Sequence, residues 1–255
     1  MDLQLFSDPK AKPFVIAEIA QTHDGSLGLA HAFIDEVAYC GAHAVKFQTH
    51  IAEAESTHQD QWRVKFSRQD KTRLEYWRRM QFTEEQWKGL SDHAQDRGLV
   101  FISSPFSVEA VELLDRLKMP IWKVASGEMF NEEVLEAIWK TRRPILFSTG
   151  LCTEQELNAV VIRTKSLEIP CGIFQCTSEY PVPPENWGLN AITKLSEDFG
   201  LPVGLSDHSG VIYPSLAAVA LGAKFLEVHV TFHKKMFGPD VPSSLDFTEL
   251  KNLVS

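Results

Sequence analysis

From residue 14 onward the chain alternates two textures: short runs rich in Val, Ile and Phe, then longer stretches that keep Glu, Lys and Arg to one side. The short runs predict eight strands, over 14–19, 44–48, 100–103, 121–125, 145–148, 172–175, 203–205 and 225–228. The longer stretches predict helices over 27–40, 83–97, 108–117, 132–141, 153–167, 189–199 and 213–221. Asp246 with Glu249 three residues on signals the start of a last one. Strict alternation of strand and helix implies a parallel sheet, and eight repeats imply closure into a (β/α)8 TIM barrel, an α/β fold. An open doubly wound sheet is the fallback if one strand is miscounted. A dinucleotide fold is disfavoured, because AQTHDGS stands after the first strand where a G-x-G-x-x-G would be needed. Only one connection, 49–82, is long; rich in His, Gln, Arg and Trp, it reads as a lid or partner-facing loop over the barrel mouth.

Composition narrows the picture. A chain of 255 residues, 44% hydrophobic, can fill one large core, so a single barrel domain over 1–255 is the expectation. The net charge of −9 argues against a nucleic-acid surface, and an anionic substrate would need basic groups gathered locally. Cys40, Cys152, Cys171 and Cys176 fall at no metal or redox spacing, and the N-terminal residues lack the apolar core of a secretory signal. No apolar run approaches the roughly 20 residues that cross a bilayer. The simplest reading is a cytoplasmic protein with reduced thiols and no membrane partner.

In such a barrel the chemistry sits at the carboxyl ends of the strands. Here those ends read AEIAQTHDG, KFQTH, SSPFS, KVASGE, FSTG, QCTSEYP, SDHSG and EVHVTF, with Glu18, Lys46, Lys123, Ser126, Ser148, Ser206 and Glu227 among apolar neighbours. Buried charge demands partners, so a polar upper layer is expected. His208 and His229 end two strands that flank one helix. If those strands are parallel neighbours, the two imidazoles can share a divalent ion such as Mn2+, with oxygen ligands from substrate and water; the alternative is that both merely cap strands. Lys46 and Lys123 have three readings: capture of a phosphate or carboxylate, ion pairing with Glu18 and Glu128, or a Schiff base on one of them. The turns at Ser126, Ser148 and Cys176 to Ser178 offer hydroxyls and free N–H groups of the kind that hold phosphate, although each alone is an ordinary helix cap. Cys176 reads as buried rather than nucleophilic.

The strings IAEIAQTHDGSLGLAHAFIDEVAYCGAHAVKFQTH, FISSPFS, KVASGE, ILFSTG, FQCTSEYPVP, GLSDHSG, AAVALGAKFLEVHVT and GPDVPSSL resemble, in order, the barrel domain of the sialic acid synthase family. That family includes the N-acetylneuraminate, legionaminate and pseudaminate synthases and spore-coat polysaccharide homologues. The resemblance implies condensation of phosphoenolpyruvate with an N-acylmannosamine-type sugar, giving a nine-carbon 3-deoxy-2-ulosonic acid and phosphate. It implies a divalent metal, Mn2+ first, with Mg2+ or Co2+ possible, on His208 and His229. It further implies phosphoenolpyruvate contacts from Lys46, Ser104, Lys123, Ser126, Ser148, Ser178 and Ser206, a sugar contact from Tyr180, catalytic carboxylates at Glu18 and Glu227, and Asp240 near metal and sugar. A homodimer is implied too.

Two departures stand out. Many members read GINHNG where this chain has Ala20 to Gly25, so Thr22 replaces the usual Asn and the donor capacity there, hence acyl preference, is expected to differ. Members usually continue into a small antifreeze-like domain whose arginine reaches the partner's sugar site; that domain is expected to be missing from 1–255. A pyruvate-dependent Schiff-base aldolase and a catalytically weak sugar- or phosphoenolpyruvate-binding barrel are the competing readings.

Overall fold

The computed structural model describes residues 12–62 and 64–255. Among the described residues eight strands build the barrel: β1 (Phe14–Glu18), β2 (Ala44–Thr49), β3 (Val100–Pro105), β4 (Trp122–Val124), β5 (Ile145–Ser148), β6 (Cys171–Cys176), β7 (Val203–Asp207) and β8 (Phe225–Val230). Parallel ladders run in the order β3-β2-β1-β8-β7-β6-β5-β4, and β3 lies against β4 without a ladder, so the barrel is nearly closed. Around it run α1 (Leu27–Cys40), α2 (Ala52–Glu55), α3 (Arg73–Met80), α4 (Glu84–Asp96), α5 (Val108–Arg116), α6 (Glu132–Lys140), α7 (Glu154–Ser166), α8 (Asn190–Phe199), α9 (Tyr213–Ala220) and α10 (Phe247–Val254). The expected (β/α)8 barrel is the observed one.

Local chemistry explains most boundaries. The hydroxyls of Thr83 and Thr153 accept the backbone N–H three residues on, while Gln86 and Glu156 reach back to the cap. Asp246 and Glu249 form the same reciprocal pair at the start of α10. Two differences from the pattern reading concern the long connection and the last loop. Segment 49–82 is not structureless: it carries α2 and α3, the latter opened by a Thr72–Glu75 capping box. A two-residue strand, β9 (Ser244–Leu245), pairs with β8 through His229 and Val230. Its two residues are too short a run to stand out by periodicity, and only the approach of β8 makes them a strand.

Because side chains alternate along a strand, each strand divides its residues between two cores. Val15, Ala17, Val45, Phe47, Ile173 and Val228 point outward and pack under the helices. Phe14, Ile16, Ala44, Ile102, Ile121, Leu146, Phe174 and Phe225 point inward and plug the lower lumen. Two glycines make that plug possible. A Cβ on Gly172 would meet the Phe225 ring at 2.9 Å, and one on Gly204 would meet the Phe225 carbonyl oxygen at 2.4 Å. Above this floor the inward positions become polar.

Candidate active site

The next inward residues up the strands are Glu18 on β1, Lys46 on β2, Lys123 on β4, Ser148 on β5, Ser206 on β7 and Glu227 on β8, all buried. Lys123 stands on the floor itself, its Nζ 5.1 Å from the Phe174 ring centre. The ammonium groups and carboxylates interlock. Lys46 Nζ lies 2.5 Å from Glu18 Oε2 and 3.7 Å from Glu227 Oε1, and Lys123 Nζ lies 3.5 Å from the same Glu227 oxygen. Lys46 also donates to Ser104 Oγ (3.3 Å), Lys123 to Ser148 Oγ (2.5 Å), and Ser206 Oγ to Glu227 Oε1 (3.1 Å). Lys123 thus pairs with Glu227 rather than with Glu128, whose carboxylate accepts from Asn131.

Burial sorts the charges. It works against every ionised group here, and the partners decide which stay charged. At Glu227 burial is outweighed by Lys123 and Lys46, which hold its carboxyl below the ordinary value. At Glu18 burial wins over Lys46 and, with Glu227 adding to it, raises the carboxyl; Oε1 faces no donor. Lys46 is raised, because Glu18 and Glu227 overcome its desolvation, whereas Lys123 is lowered by burial despite Glu227. Two carboxylates therefore share two amines, Glu227 facing both and Glu18 facing Lys46.

Beside this floor the strand turns supply hydroxyls. Ser126 Oγ accepts the Gly150 N–H at 3.1 Å, and a Cβ at Gly150 would lie 2.4 Å from Ser178 Oγ and 2.9 Å from Ser126 Oγ. The absence of a side chain at 150 opens a cradle of two hydroxyls next to Lys123. Cys176 lines it, buried, its thiol pushed up by desolvation, as a space-filling group rather than a thiolate.

Ladder register sets the histidines side by side. Asp207 pairs with Val228, so the next positions along β7 and β8 are His208 and His229, whose ring centres lie 5.2 Å apart at 75°. His208 Nδ1 donates to the Thr177 carbonyl at 2.8 Å, leaving Nε2 as the lone-pair nitrogen; the Tyr180 hydroxyl donates to it at 3.0 Å. Burial pushes His208 down to about 4 and His229 well below its ordinary value, so both rings are neutral, and His229 Nδ1 is buried with no partner. Neutral nitrogens with lone pairs, one orphaned and one oriented through a carbonyl, suit a divalent ion. Among the described residues no group of three or more His, Cys, Asp or Glu is placed to hold a metal. The donor set therefore fits an ion that takes two protein nitrogens and completes its shell with water and substrate oxygens. Asp240, raised to about 6 by burial although it accepts the Gln21 N–H at 3.0 Å, sits at the rim.

All thirteen residues singled out from the sequence, Glu18, Lys46, Ser104, Lys123, Ser126, Ser148, Ser178, Tyr180, Ser206, His208, Glu227, His229 and Asp240, line one cavity of about 730 Å³. Thr22 does not. Its hydroxyl donates to the Ile19 carbonyl (2.6 Å) and lies 3.0 Å from the Val230 carbonyl oxygen, tying the loop after β1 to β8. The donor change expected at that position is therefore turned to the backbone. Further parts of the wall come from residues the sequence did not single out: Gln21, Gln48 and Phe106, with Trp62, Phe66, Arg73, Tyr76 and Trp77 from the long connection. Gln48 could have been found as the inward position two residues after Lys46.

Fold and cavity define the class: a (β/α)8 barrel whose ionisable groups are gathered at the carboxyl ends of its strands. The sequence model of the NeuB family matches residues 33–255, and the chain belongs to that family. It is 36% identical over 249 residues to the N,N'-diacetyllegionaminic acid synthase of Campylobacter jejuni, covering 95% of this chain and 74% of that protein. It is 37% identical to the human N-acetylneuraminate-9-phosphate synthase, covering 94% and 68%. The crystal structure of an N-acetylneuraminic acid (sialic acid) synthetase from Leptospira borgpetersenii, in complex with citrate, superposes with a TM-score of 0.85 at 30% identity, over 95% of this chain and 82% of that one. Among the described residues no helix is long and apolar enough to cross a membrane.

Proposed function

We propose that this chain joins phosphoenolpyruvate to an N-acylmannosamine-type sugar in its open-chain form, yielding a nine-carbon 3-deoxy-2-ulosonic acid and inorganic phosphate. The observation that carries the reading is the pair of buried lysines, set among Glu18, Glu227 and a ring of hydroxyls, beside two neutral imidazoles. A small dianionic or trianionic substrate is what such a lysine pair attracts, and the family relatives are named as synthases of sialic-acid-type sugars.

Lys123, Ser126, Ser148 and Ser178 would hold the phosphoryl group, and Lys46 with Ser104 the carboxylate. This orientation aims the enol carbon at the mouth of the barrel. His208 and His229 would hold a divalent metal, Mn2+ first, and when bound it would supply Lewis-acid polarisation of the sugar carbonyl. The enol carbon bonds to the aldehyde carbon, whose oxygen takes a proton and becomes a hydroxyl. Positive character develops at the former enol-ether carbon, and the ionised Glu227 below it stabilises that charge. Water adds there, gives up its proton, and the carbon–oxygen bond to phosphate breaks to leave the ketone. Glu18, whose carboxyl is raised where that of Glu227 is lowered, is the group better suited to exchange that proton. Tyr180 and Asp240 would meet the sugar.

The test is phosphate release from phosphoenolpyruvate across a panel of N-acyl hexosamines. EDTA is expected to abolish release and Mn2+ to restore it, while His208→Ala and His229→Ala each lose metal binding and at least about a thousandfold in turnover. Full activity in both variants overturns the proposal. A second reading, a pyruvate-dependent aldolase, is favoured only by the burial that lowers Lys123. Borohydride trapping of a pyruvate imine on Lys123 would establish it in place of the first.

A further inference from the structure

The nitrogen on which His208 would hold an ion is engaged by a neighbouring side chain. His208 itself is fixed: its Nδ1 donates to the Thr177 carbonyl at 2.8 Å, its own carbonyl accepts the Val182 N–H at 3.0 Å, and the residue is 4% exposed. Two hydroxyls come within reach of the remaining nitrogen, Nε2. Ser206 Oγ is 3.5 Å away, but its single hydrogen goes to Glu227 Oε1 at 3.1 Å. Tyr180 takes the lone pair, donating its O–H at 3.0 Å with the phenol stacked on the imidazole at 4.1 Å.

A donor hydrogen and a metal ion cannot share one lone pair, so phenol and ion exclude each other at Nε2. Of the two rings the phenol is the one able to leave. Tyr180 is 49% exposed, and it meets its other ring neighbour, His229, only edge-on at 5.7 Å. His229 presents no such obstacle, since its buried Nδ1 has no partner. The two imidazoles are therefore unequal, one nitrogen open and the other covered.

We infer that Tyr180 is a latch on this pair: its hydroxyl and a divalent ion compete for His208 Nε2, and the ion, by taking that nitrogen, releases the O–H into the cavity as a donor for the sugar. Tyr180 lines the cavity, so the released group stays within it. The inference rests on the proposed metal site and sugar, and adds to them a coupling: each of the two ligands strengthens the binding of the other.

Calorimetric titration of Mn2+ into the full chain, stripped beforehand with EDTA, reads the competition directly. Tyr180→Phe keeps the stacked ring and removes the competing hydrogen, so Mn2+ is expected to bind about fivefold tighter than to the wild type. A tyrosine that merely props the imidazole in place predicts unchanged or weaker binding instead. The coupling supplies a second measurement: saturating N-acetylmannosamine is expected to tighten Mn2+ about fivefold more in the wild type than in Tyr180→Phe. Mn2+ binding no tighter in Tyr180→Phe than in the wild type overturns the inference while leaving the proposed reaction standing. A wild-type chain that binds no Mn2+ overturns the metal site and the inference with it.

Discussion

The lower and upper halves of the barrel interior are built from the same strands, two residues apart, yet obey opposite rules. Ile16 and Glu18 share one face of β1, Leu146 and Ser148 of β5, Phe225 and Glu227 of β8, and Ile121 just before β4 stands under Lys123 in the same way. Below, apolar side chains meet with no polar atom to satisfy, and the close approach of Phe225 to Gly172 and Gly204 shows how tightly the floor is packed. Above, carboxylates, amines and hydroxyls are desolvated together and held by one another. The lower half gains free energy by burial; the upper half spends some of it to keep charges ready for a substrate. The same strand can do both because its alternation delivers a fresh inward residue every second position.

Two substitutions would break this comparison most sharply. Lys123→Met leaves the buried Glu227 to Lys46 alone, so some stability is lost, but the larger effect expected is on phosphate release, which falls at least about a thousandfold. Phe225→Ala should do the reverse, lowering unfolding free energy by about 3–5 kcal/mol with turnover per folded molecule nearly unchanged. Equal loss of activity in both, measured beside urea unfolding, would mean that the halves are not separable.

A smaller effect tests the electrostatics of the upper half. His208 is pushed down to about 4 in the fold against about 6.5 in the unfolded chain. Between those values the unfolded chain binds a proton that the folded one refuses. The contribution of the neutral ring is therefore complete above pH 6.5 and lost as pH falls through about 4. Relative to His208→Gln, wild-type stability is expected to drop by about 3 kcal/mol over that window. A difference between the two that stays constant with pH would show that the ring titrates normally.

Smallest of all is the outcome at Thr22. Thr22→Asn should cost about 1 kcal/mol through its lost backbone bonds and leave the sugar KM unchanged, because the side chain faces β8 rather than the cavity. A shifted acyl preference in that variant would restore the expectation drawn from the family motif.

Much of this was readable along the chain. Eight apolar runs, the Asp246–Glu249 cap and polar residues such as Lys46, Ser148 and His208 at the run ends follow from rules that act within a few residues: alternation, capping, the burial cost of a charge. These rules placed the barrel and most of its polar candidates, the family resemblance added others such as Ser104 and Asp240, and all thirteen line one cavity. What they could not reach depends on partners distant in sequence. Lys123 could not choose between Glu128 and Glu227 until β8 closed against β1 and β7. Glu18 and Glu227 look alike as letters and differ only because one carboxylate faces two amines and the other shares one. Thr22 could not be seen to turn toward Val230, nor Gln21 toward Gln48, nor α3 to lay Tyr76 and Trp77 over the mouth. Sequence alone determined which elements form and which residue types stand at their ends, since those are local free energies. Only the tertiary structure decided which of those residues find partners for their charge and which face the cavity, since desolvation and pairing are properties of the whole ring.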